Sequence, residues 1–303
     1  MPVNKFNRVK VSVCVVTYNQ EKLVEQCLRS ILDQEVGFEF EVIVSDDCST
    51  DKTPEIIERL AGEYSHLNVI HREMNLGALK NFEETHKIAT GNYVCHCDGD
   101  DYWLPGKLRV QADYLDMNPE CNVVWTRMKI SYDDNSEPVE DLIDESLLNK
   151  KFYRGDLIQY IAVGLHSAKM YRRCKMPDLN MEMVDYLANV IHVGNGYAAF
   201  VGDRCYGVYR AGIGIASGGF KTKSLIAKSI NYFNNSFPEH RNRANAALFL
   251  MTLLELKAMR YKNASVFISQ VSIGNLLSGF VCFLFNLNKV IKFRLPKRKS
   301  HVD

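Results

Sequence analysis

The segment Val11-Ser-Val-Cys-Val-Val-Thr-Tyr-Asn-Gln20 is a short β-rich run that ends in polar residues. Residues Glu21–Asp33 follow it, and their apolar side chains recur at the spacing of an amphipathic helix. The alternation continues and predicts strands at 41–45, 68–71, 93–97 and 122–126, with helices beginning at 53, 79 and 105. Strands and helices that alternate in this way predict an α/β fold whose mostly parallel sheet is covered by helices on both faces.

The second half of the chain has a more mixed pattern. We expect an acidic loop at 131–150, helices at 152–163, 181–193 and within 221–262, and a strand at 198–201. In sheets of this kind, ligands bind beyond the carboxyl ends of the strands. Polar clusters follow three predicted strands at 17–19, 46–47 and 98–101, so this edge is the predicted site.

The charge of the chain is unevenly distributed, although its 303 residues carry a net charge of only +1. Residues 1–219 contain 23 Lys and Arg against 33 Asp and Glu, whereas residues 220–303 contain 14 against three. An apolar fraction of 47% excludes a disordered or fibrous chain. The polar start, Met1–Lys10, does not resemble a signal peptide, and nine cysteines without one favour a reducing cytoplasm.

The C-terminal region combines an apolar stretch with a basic cluster. No charged residue or histidine lies between Lys262 and Lys289, and six bases follow at 289, 292, 294, 297, 298 and 299. Because polar residues interrupt the stretch, we predict a helix that lies in the membrane interface with its bases against anionic headgroups. A packed helix with a solvated basic tail and a true membrane span are the alternatives.

The run Asp98-Gly-Asp-Asp101 is the strongest candidate for chemistry. Three carboxylates within four residues repel one another, and a bound divalent cation such as Mg²⁺ or Mn²⁺ relieves this repulsion. A solvated acidic turn is the alternative. At Asp46 and Asp47 the alternatives are helix capping by the loop that follows and recognition of a base or ribose. Asp185 taken alone is typical of a surface residue.

Several site classes are disfavoured. The chain has no Gly-x-Gly-x-x-Gly after a strand, no Gly-Lys-Ser/Thr loop and no Gly-x-Ser-x-Gly, which disfavours nicotinamide dehydrogenases, P-loop enzymes and serine hydrolases. Cys95-His-Cys97 is a weak zinc candidate, because alternate residues of a strand point to opposite faces.

Four motifs in order resemble those of the family 2 glycosyltransferases, which have the GT-A fold, and in particular the inverting enzymes of bacterial O-antigen and capsule assembly. They are Val15-Val-Thr-Tyr-Asn-Gln20, Ser45-Asp-Asp-Cys-Ser-Thr-Asp51, Asn75-Leu-Gly77 and Cys97-Asp-Gly-Asp-Asp-Tyr-Trp-Leu-Pro105. The resemblance implies a nucleotide-sugar donor. It also implies Mn²⁺ or Mg²⁺ held by Asp98, Asp100 and Asp101. The residues expected around the donor are Thr17, Tyr18, Asn19, Asp46, Asp47, Lys80, Asp98, Gly99 and Arg210.

The resemblance also implies a catalytic carboxylate ahead of a helix. Counting back from Asp203 and Tyr209-Arg210 leads to Asp185, with Glu182 as the rival, since the usual Glu-Asp pair is replaced by Val184-Asp185. The His that often follows Tyr-Arg in the family is also missing here. His166 and Trp103 are candidates for contact with the acceptor, and for His166 a satisfied loop histidine is the alternative.

The sequence therefore predicts a GT-A domain at 1–219, with a nucleotide-sugar half at 1–130 and an acceptor half at 131–219, and a helical extension at 220–303. The expected reaction transfers a hexose from a UDP-sugar to a sugar on undecaprenyl diphosphate, at the inner face of the cell membrane and without nucleic acid. A different donor or a non-lipid acceptor is the main alternative. A non-catalytic nucleotide-sugar-binding or membrane-associated protein is a remote one.

Overall fold

The structure is a computed structural model. It describes residues 9–132, 137–140, 143, 145–148, 150–161, 163–177, 179, 181–211, 219–271 and 276–292, with the side chains of the last range described to 286.

The first half contains the four parallel strands that the sequence predicts. They are β1 (Val11–Thr17), β2 (Phe40–Asp46), β3 (Leu67–His71) and β4 (Tyr93–Asp98), arranged in the order β3-β2-β1-β4. The helices of this half are α1 (Val24–Leu32), α2 (Thr53–Glu63), α3 (Ala78–Lys87) and, after β4, α4 (Lys107–Met117). The α/β fold class is thereby confirmed, and the carboxyl ends of the four strands lie at one edge of the sheet.

The second half adds strands of both directions. The remaining strands are β5 (Tyr102–Trp103), β6 (Cys121–Ser131), β7 (Val139–Glu140), β8 (Lys169–Arg172) and β9 (Tyr197–Arg210). β8 is inserted antiparallel between β4 and β6, and β9 pairs parallel with β6. The sequence did not indicate β5, β7 or β8, and β9 is longer than the predicted strand.

The second half also contains seven described helices, namely α5 (Glu145–Leu148), α6 (Arg154–Tyr160), α7 (Asp185–Val193), α8 (Phe220–Ser236), α9 (Arg241–Lys257), α10 (Tyr261–Ile268) and α11 (Leu276–Lys292). Thus β7 and α5 lie within the expected acidic loop, and α6 and α7 are shorter than predicted. The apolar stretch 263–288 does not form one helix, because α10 ends before the polar pair Ser269-Gln270 and α11 begins later.

Two apolar cores cover the faces of the sheet. One contains Val13 and Val15 of β1 with Leu28 of α1. The other joins Trp125 of β6 to Phe233 of α8, and it also includes residues of α7, α9 and α11. The C-terminal helices therefore share a core with β6 and α7 instead of packing only on one another. No described helix is both long enough and apolar enough to cross a membrane.

Candidate active site

The loops after β1 and β2 are tied together at the carboxyl edge of the sheet. Asn19 donates its backbone N–H to Ser49 Oγ at 2.8 Å, and its Oδ1 accepts the N–H of Thr50 at 2.8 Å. Asn19 has a φ of 53°, a left-handed conformation that asparagine tolerates better than most residues. Tyr18, which precedes it, is 43% exposed. The loop thus presents an aromatic ring at the rim of the site.

Asp46 and Asp47, at the carboxyl end of β2, are both buried and accept hydrogen bonds from the backbone of neighbouring loops. Asp47 accepts N–H groups of Leu76 and Gly77 at 2.8 and 2.9 Å, which accounts for the Asn-Leu-Gly motif. Asp46 accepts the N–H of Ser49 at 3.0 Å. These two acids therefore hold loops in place. The expected capping of α2 by Ser49 or Thr50 is not seen, because the N-cap residue is Lys52 and no side chain caps the helix there. Any donor contact of the acids would be added to their role in the loops.

Gly99 allows the acidic run to approach the end of β1. Its N–H donates to Val16 O at 2.9 Å, and an added Cβ would lie 2.3 Å from Gln20 Oε1 and 2.8 Å from Thr17 Cβ. Thr17 is itself buried and donates its hydroxyl to Gln20 Oε1 at 2.6 Å. A side chain at 99 would therefore push the acids away from the β1 loop.

Asp98 is half-buried and is oriented by two residues that the sequence did not assign to this site. His96 Nε2 lies 3.0 Å from its Oδ1, and Ser167 Oγ lies 3.4 Å from its Oδ2. Burial alone would raise the pKa of Asp98, but the charge and hydrogen bond of His96 and the bond from Ser167 hold that pKa below its usual value. Asp98 is therefore an ionised carboxylate held in one orientation.

Asp100 and Asp101 are more deeply buried than Asp98. Burial and the negative charge of Asp98 raise the pKa of Asp100 to about 6. Burial, with Asp98 and Asp100, also raises the pKa of Asp101 well above its ordinary value. Asp101 is fully buried: its Oδ1 accepts the N–H of Arg210 at 2.9 Å, while its Oδ2 has no partner. Through the bond to Arg210, Asp101 fastens β9 to the loop.

Arg210 closes the other side of the acidic run. Its guanidinium donates to the carbonyl of Asp100 and to Gln26 Oε1, and it lies 5.0 Å from the ring of Tyr102. It is 8% exposed. The buried guanidinium of Arg210 thus lies beside the acidic run at 98–101.

Asp98 and Asp100 have the chemistry of cation ligands but do not form a complete set. Within the part of the chain that the structure describes, no three Asp, Glu, His or Cys side chains converge as a complete ligand set. Mg²⁺ and Mn²⁺ commonly use one or two carboxylates together with substrate phosphates and water. The raised pKa of Asp100 beside an ionised Asp98 fits such a partly built site, which a diphosphate would complete.

Asp185 and Glu182 differ in their surroundings. Asp185 is exposed at the first position of α7, where a carboxylate favours the helix dipole. Burial and the charges of Asp101, Asp98, Asp100 and Asp185 raise the pKa of Tyr209 to about 12. The charges of Asp185 and of the acidic run therefore both raise the pKa of Tyr209. Glu182 is instead paired with Lys221 at 2.8 Å.

The remaining predicted residues lie outside this cluster or beneath it. Lys80 is exposed on α3 and pairs with Glu84 at 2.8 Å. Trp103 is 2% exposed and donates its Nε1–H to Ser167 O at 3.0 Å, so it supports the site from below instead of facing an acceptor. His166 is partly buried, with its ring centroid 4.0 Å from that of His96.

Arg72 and Lys169 were not singled out from the sequence. Arg72 follows β3 and donates its Nε–H to Ser45 Oγ and Asn81 Oδ1, both at 3.1 Å, while its Nη2 is buried without a partner. Lys169 is fully buried on β8. Neither belongs to a local motif, so only the three-dimensional arrangement reveals them.

Comparison with known proteins agrees with this geometry. Residues 12–176 match the family described as glycosyl transferase family 2. The Mycobacterium tuberculosis protein Rv1520, of uncharacterised function, is 32% identical over 204 residues, which are 63% of this chain and 56% of Rv1520. The chain thus spans little more than half the length of this relative.

Two solved structures show the same fold. TarS 1–349 of Staphylococcus aureus in complex with UDP has a TM-score of 0.64 at 21% identity, covering 93% of this chain and 90% of that one. The mannosyltransferase PcManGT of Pyrobaculum calidifontis, in complex with GDP-Man and Mn²⁺, has a TM-score of 0.51 at 17% identity, covering 92% and 88%. With more than half of its residues matched by the family, the chain belongs to glycosyl transferase family 2.

Proposed function

We propose that the protein transfers a hexose, with inversion, from a UDP-sugar to a sugar carried on a polyprenyl diphosphate such as undecaprenyl diphosphate. The observation that supports this proposal is that two kinds of carboxylate act on one tyrosine. Asp98 and Asp100 lie at the end of β4, Asp185 is exposed at the start of α7, and the charges of all three raise the pKa of Tyr209.

The donor half of the site suits a nucleoside diphosphate sugar. Asp98 and Asp100 would hold Mn²⁺ or Mg²⁺, which as a Lewis acid stabilises the charge of the leaving diphosphate. Tyr18 is exposed beside the β1 loop, where a nucleobase would stack. TarS, which has this fold, has been solved with UDP and with UDP-GlcNAc, and this supports a UDP-sugar as donor.

The acceptor half supplies the base. The acceptor hydroxyl oxygen bonds to the anomeric carbon from the face opposite the diphosphate, the bond to the diphosphate breaks, and the hydroxyl proton passes to Asp185. Asp185 is free for this role because it has no ion pair among the described residues, whereas Glu182 is held by Lys221.

The test of the base compares two isosteric variants. Asp185→Asn should lower transfer by about 10²-fold or more, in line with the loss of a general base, while UDP still binds with Mn²⁺. Glu182→Gln should keep transfer within a few-fold. Full activity of Asp185→Asn together with loss of activity in Glu182→Gln would assign the base to Glu182.

The identity of the sugars needs a product assay. We propose glucose or galactose, in β linkage, on N-acetylglucosamine or N-acetylgalactosamine. A screen of UDP-sugars against a synthetic lipid-diphosphate acceptor, followed by linkage analysis, tests this choice. TarS is named a poly(ribitol-phosphate) beta-N-acetylglucosaminyltransferase and is 37% identical over 123 residues, 40% of this chain and 21% of TarS. This likeness favours a polymer acceptor as the second candidate, which a parallel screen with poly(ribitol phosphate) as acceptor would reveal.

A membrane-bound acceptor fits the surface of α11. Five large apolar side chains on this helix recur at helical spacing and are 41–84% exposed, namely Leu277, Phe280, Val281, Leu284 and Phe285. The opposite side packs on α9, because Phe283 is buried and a Cβ at Gly279 would lie 2.5 Å from Asn245 Cβ. The sequence continues with six bases from Lys289 to Lys299. We propose that this apolar row docks on an anionic bilayer at the cytoplasmic face, with the bases against its headgroups.

Vesicle sedimentation tests this docking. The wild type should sediment with vesicles of mixed neutral and anionic phospholipid. Leu277→Ser combined with Phe285→Ser should weaken this sedimentation, while the control Met117→Ser, at an equally exposed apolar residue on α4, should not. Equal binding to neutral and anionic vesicles would contradict the role of the bases. A lipid-independent dimer that the double variant dissociates would show that a second copy covers the row.

A further inference from the structure

A chain of hydrogen bonds connects the interior of the protein with Asp98. Tyr171 Oη on β8 lies 2.7 Å from His86 Nδ1 on α3. His86 Nε2 lies 3.1 Å from His96 Nδ1 on β4, and His96 Nε2 lies 3.0 Å from Asp98 Oδ1. Tyr171 and His96 are 4% and 1% exposed, and His86 is half-buried. The contact between His96 and Asp98 is therefore the last of three consecutive hydrogen bonds.

The groups in the chain determine which atom donates in each bond. Burial raises the pKa of Tyr171 well above its usual value, so the hydroxyl keeps its proton. Its hydrogen-bond partner among the described residues is His86 Nδ1, which must therefore accept. Burial also lowers the pKa of His86 well below its usual value, so this ring is neutral and carries its single proton on Nε2. His86 Nε2 thus donates to His96 Nδ1.

The same reasoning applies to the next ring. Because His96 Nδ1 accepts from His86, the proton of the His96 ring is on Nε2, which donates to the Asp98 carboxylate. All three bonds then point in one direction, and hydrogen bonds arranged in this way polarise and strengthen one another. A carboxylate oxygen can accept more than one partner, so Asp98 Oδ1 still has a lone pair for a cation.

We infer that Tyr171, His86 and His96 are positioning residues for Asp98, because their hydrogen bonds keep the proton of His96 on Nε2 and so hold the carboxylate in the orientation that binds the cation. This role rests on the proposed function of Asp98 as a metal ligand. With its proton on Nδ1, the His96 ring would turn the Nε2 lone pair towards the carboxylate and repel it. Tyr171 therefore acts on the cation through two intervening rings.

Two further histidines restrain the chain by packing. The ring of His192 on α7 stacks on that of Tyr171, with the centroids 3.7 Å apart and the planes 10° from parallel. The ring of His166 lies 4.0 Å from that of His96. These contacts limit rotation of the rings, whereas the hydrogen bonds decide which nitrogen carries the proton.

The first test locates the protons and needs no metal. Long-range ¹H–¹⁵N spectra of the wild type, with ¹⁵N-labelled histidine and a chelator, distinguish protonated from unprotonated ring nitrogens. We expect His96 and His86 each to carry a proton on Nε2 and none on Nδ1. Their signals are assigned by their loss in His96→Gln and His86→Gln. A proton on Nδ1 of either ring would overturn the inference.

The second test measures the affinity for Mn²⁺ with UDP present, from the electron paramagnetic resonance signal of free Mn²⁺. His96→Leu should weaken binding about 10- to 100-fold, and Tyr171→Phe about three- to tenfold. His96→Gln should recover most of the loss, because its amide can donate in place of Nε2. The matched control is Tyr93→Phe, which removes a hydroxyl on a residue 5% exposed that bonds to Asp116 Oδ1 at 2.6 Å, away from the chain, and it should leave Mn²⁺ binding unchanged.

A double variant separates this role from general support of the fold. Adding Tyr171→Phe to His96→Leu should weaken Mn²⁺ binding no further, because the chain is already broken at His96. A further loss as large as that of Tyr171→Phe alone, or an equal loss in Tyr93→Phe and Tyr171→Phe, would overturn the inference. Undiminished Mn²⁺ binding by Asp98→Asn would instead refute the proposed metal site, whatever the positions of the histidine protons.

Discussion

Replacement of Asp100 by Asn is expected to stabilise the metal-free protein and to abolish metal-dependent UDP binding. Asp100 is 5% exposed and shares its loop with the ionised Asp98. Without a cation, folding therefore places two negative charges close together. The Asn amide has the same shape as the carboxylate but no charge. The substitution therefore removes the repulsion between residue 100 and Asp98, and it also removes the proposed ligand of the cation.

The size of the effect follows from the pKa. Burial and Asp98 raise the pKa of Asp100 from 3.8 to about 6, which corresponds to about 3 kcal/mol at 1.36 kcal/mol per pKa unit. Because the folded state binds the proton more tightly, the destabilisation is absent below the unfolded pKa of 3.8. It grows as the pH rises towards 6 and is complete above that value. Asp100→Asn should thus raise the free energy of unfolding by up to about 3 kcal/mol at pH 7.5 and hardly change it at pH 3.5.

Denaturant unfolding with a chelator, at both pH values, measures this difference. A thermal shift with Mn²⁺ and UDP then tests binding: the wild type should gain stability and Asp100→Asn should not. Asp113→Asn, at an exposed carboxylate of α4, is the control. Equal or lower stability of Asp100→Asn at pH 7.5, or an undiminished shift with Mn²⁺ and UDP, would refute the reasoning.

Two further substitutions test the packing around the site and the C-terminal helices. Gly99→Ala should lower the free energy of unfolding by about 1–3 kcal/mol and weaken UDP binding, because the added Cβ meets Thr17. The control Gly62→Ala lies on α2 with open space around it, and it should raise the free energy of unfolding by about 0.5–1 kcal/mol in the same denaturant titration. Glu255→Gln should lower it by about 3 kcal/mol at neutral pH, since Glu255 is 1% exposed and binds Arg260 at 2.6 Å. Although burial opposes them, Asn263 and Arg260 keep the pKa of Glu255 below its usual value, so the difference from wild type should shrink as the pH falls through that pKa, and a constant difference would count against the ion pair.

The sequence was sufficient to predict the first half of the fold, with strands β1 to β4. β1, β2, β3 and β4 were each marked by a short apolar run followed by polar residues, and all four pair in parallel as expected. Each of these strands is specified by its own residues, so the apolar pattern and the turn residues that follow it are enough to predict the strand. The acids at their carboxyl ends were predicted for the same reason.

The strand β8 could not be predicted in this way. Its four residues, Lys169–Arg172, begin and end with a base and contain no alternation strong enough to mark a strand. Its place is decided by pairing with β4 on one side and β6 on the other, which are contacts between residues far apart in the chain. The same limit applies to Asp47, whose acceptance of the Leu76 and Gly77 N–H groups depends on how two loops meet.

The insertion of β8 links the two carboxylates of the proposed reaction. The 3₁₀ turn before β8 carries Ser167, which contacts Asp98 on β4, and the strand itself carries Lys169, which contacts Asn189 on α7. A displacement of β8 would therefore move Asp98 and the helix of the proposed base together. Because β4 and α7 are both held by one short antiparallel strand, we expect the pairing of β8 with its two neighbours to set the distance between a bound diphosphate and the proposed base. Substitutions in β8 should therefore impair transfer more than they impair UDP binding.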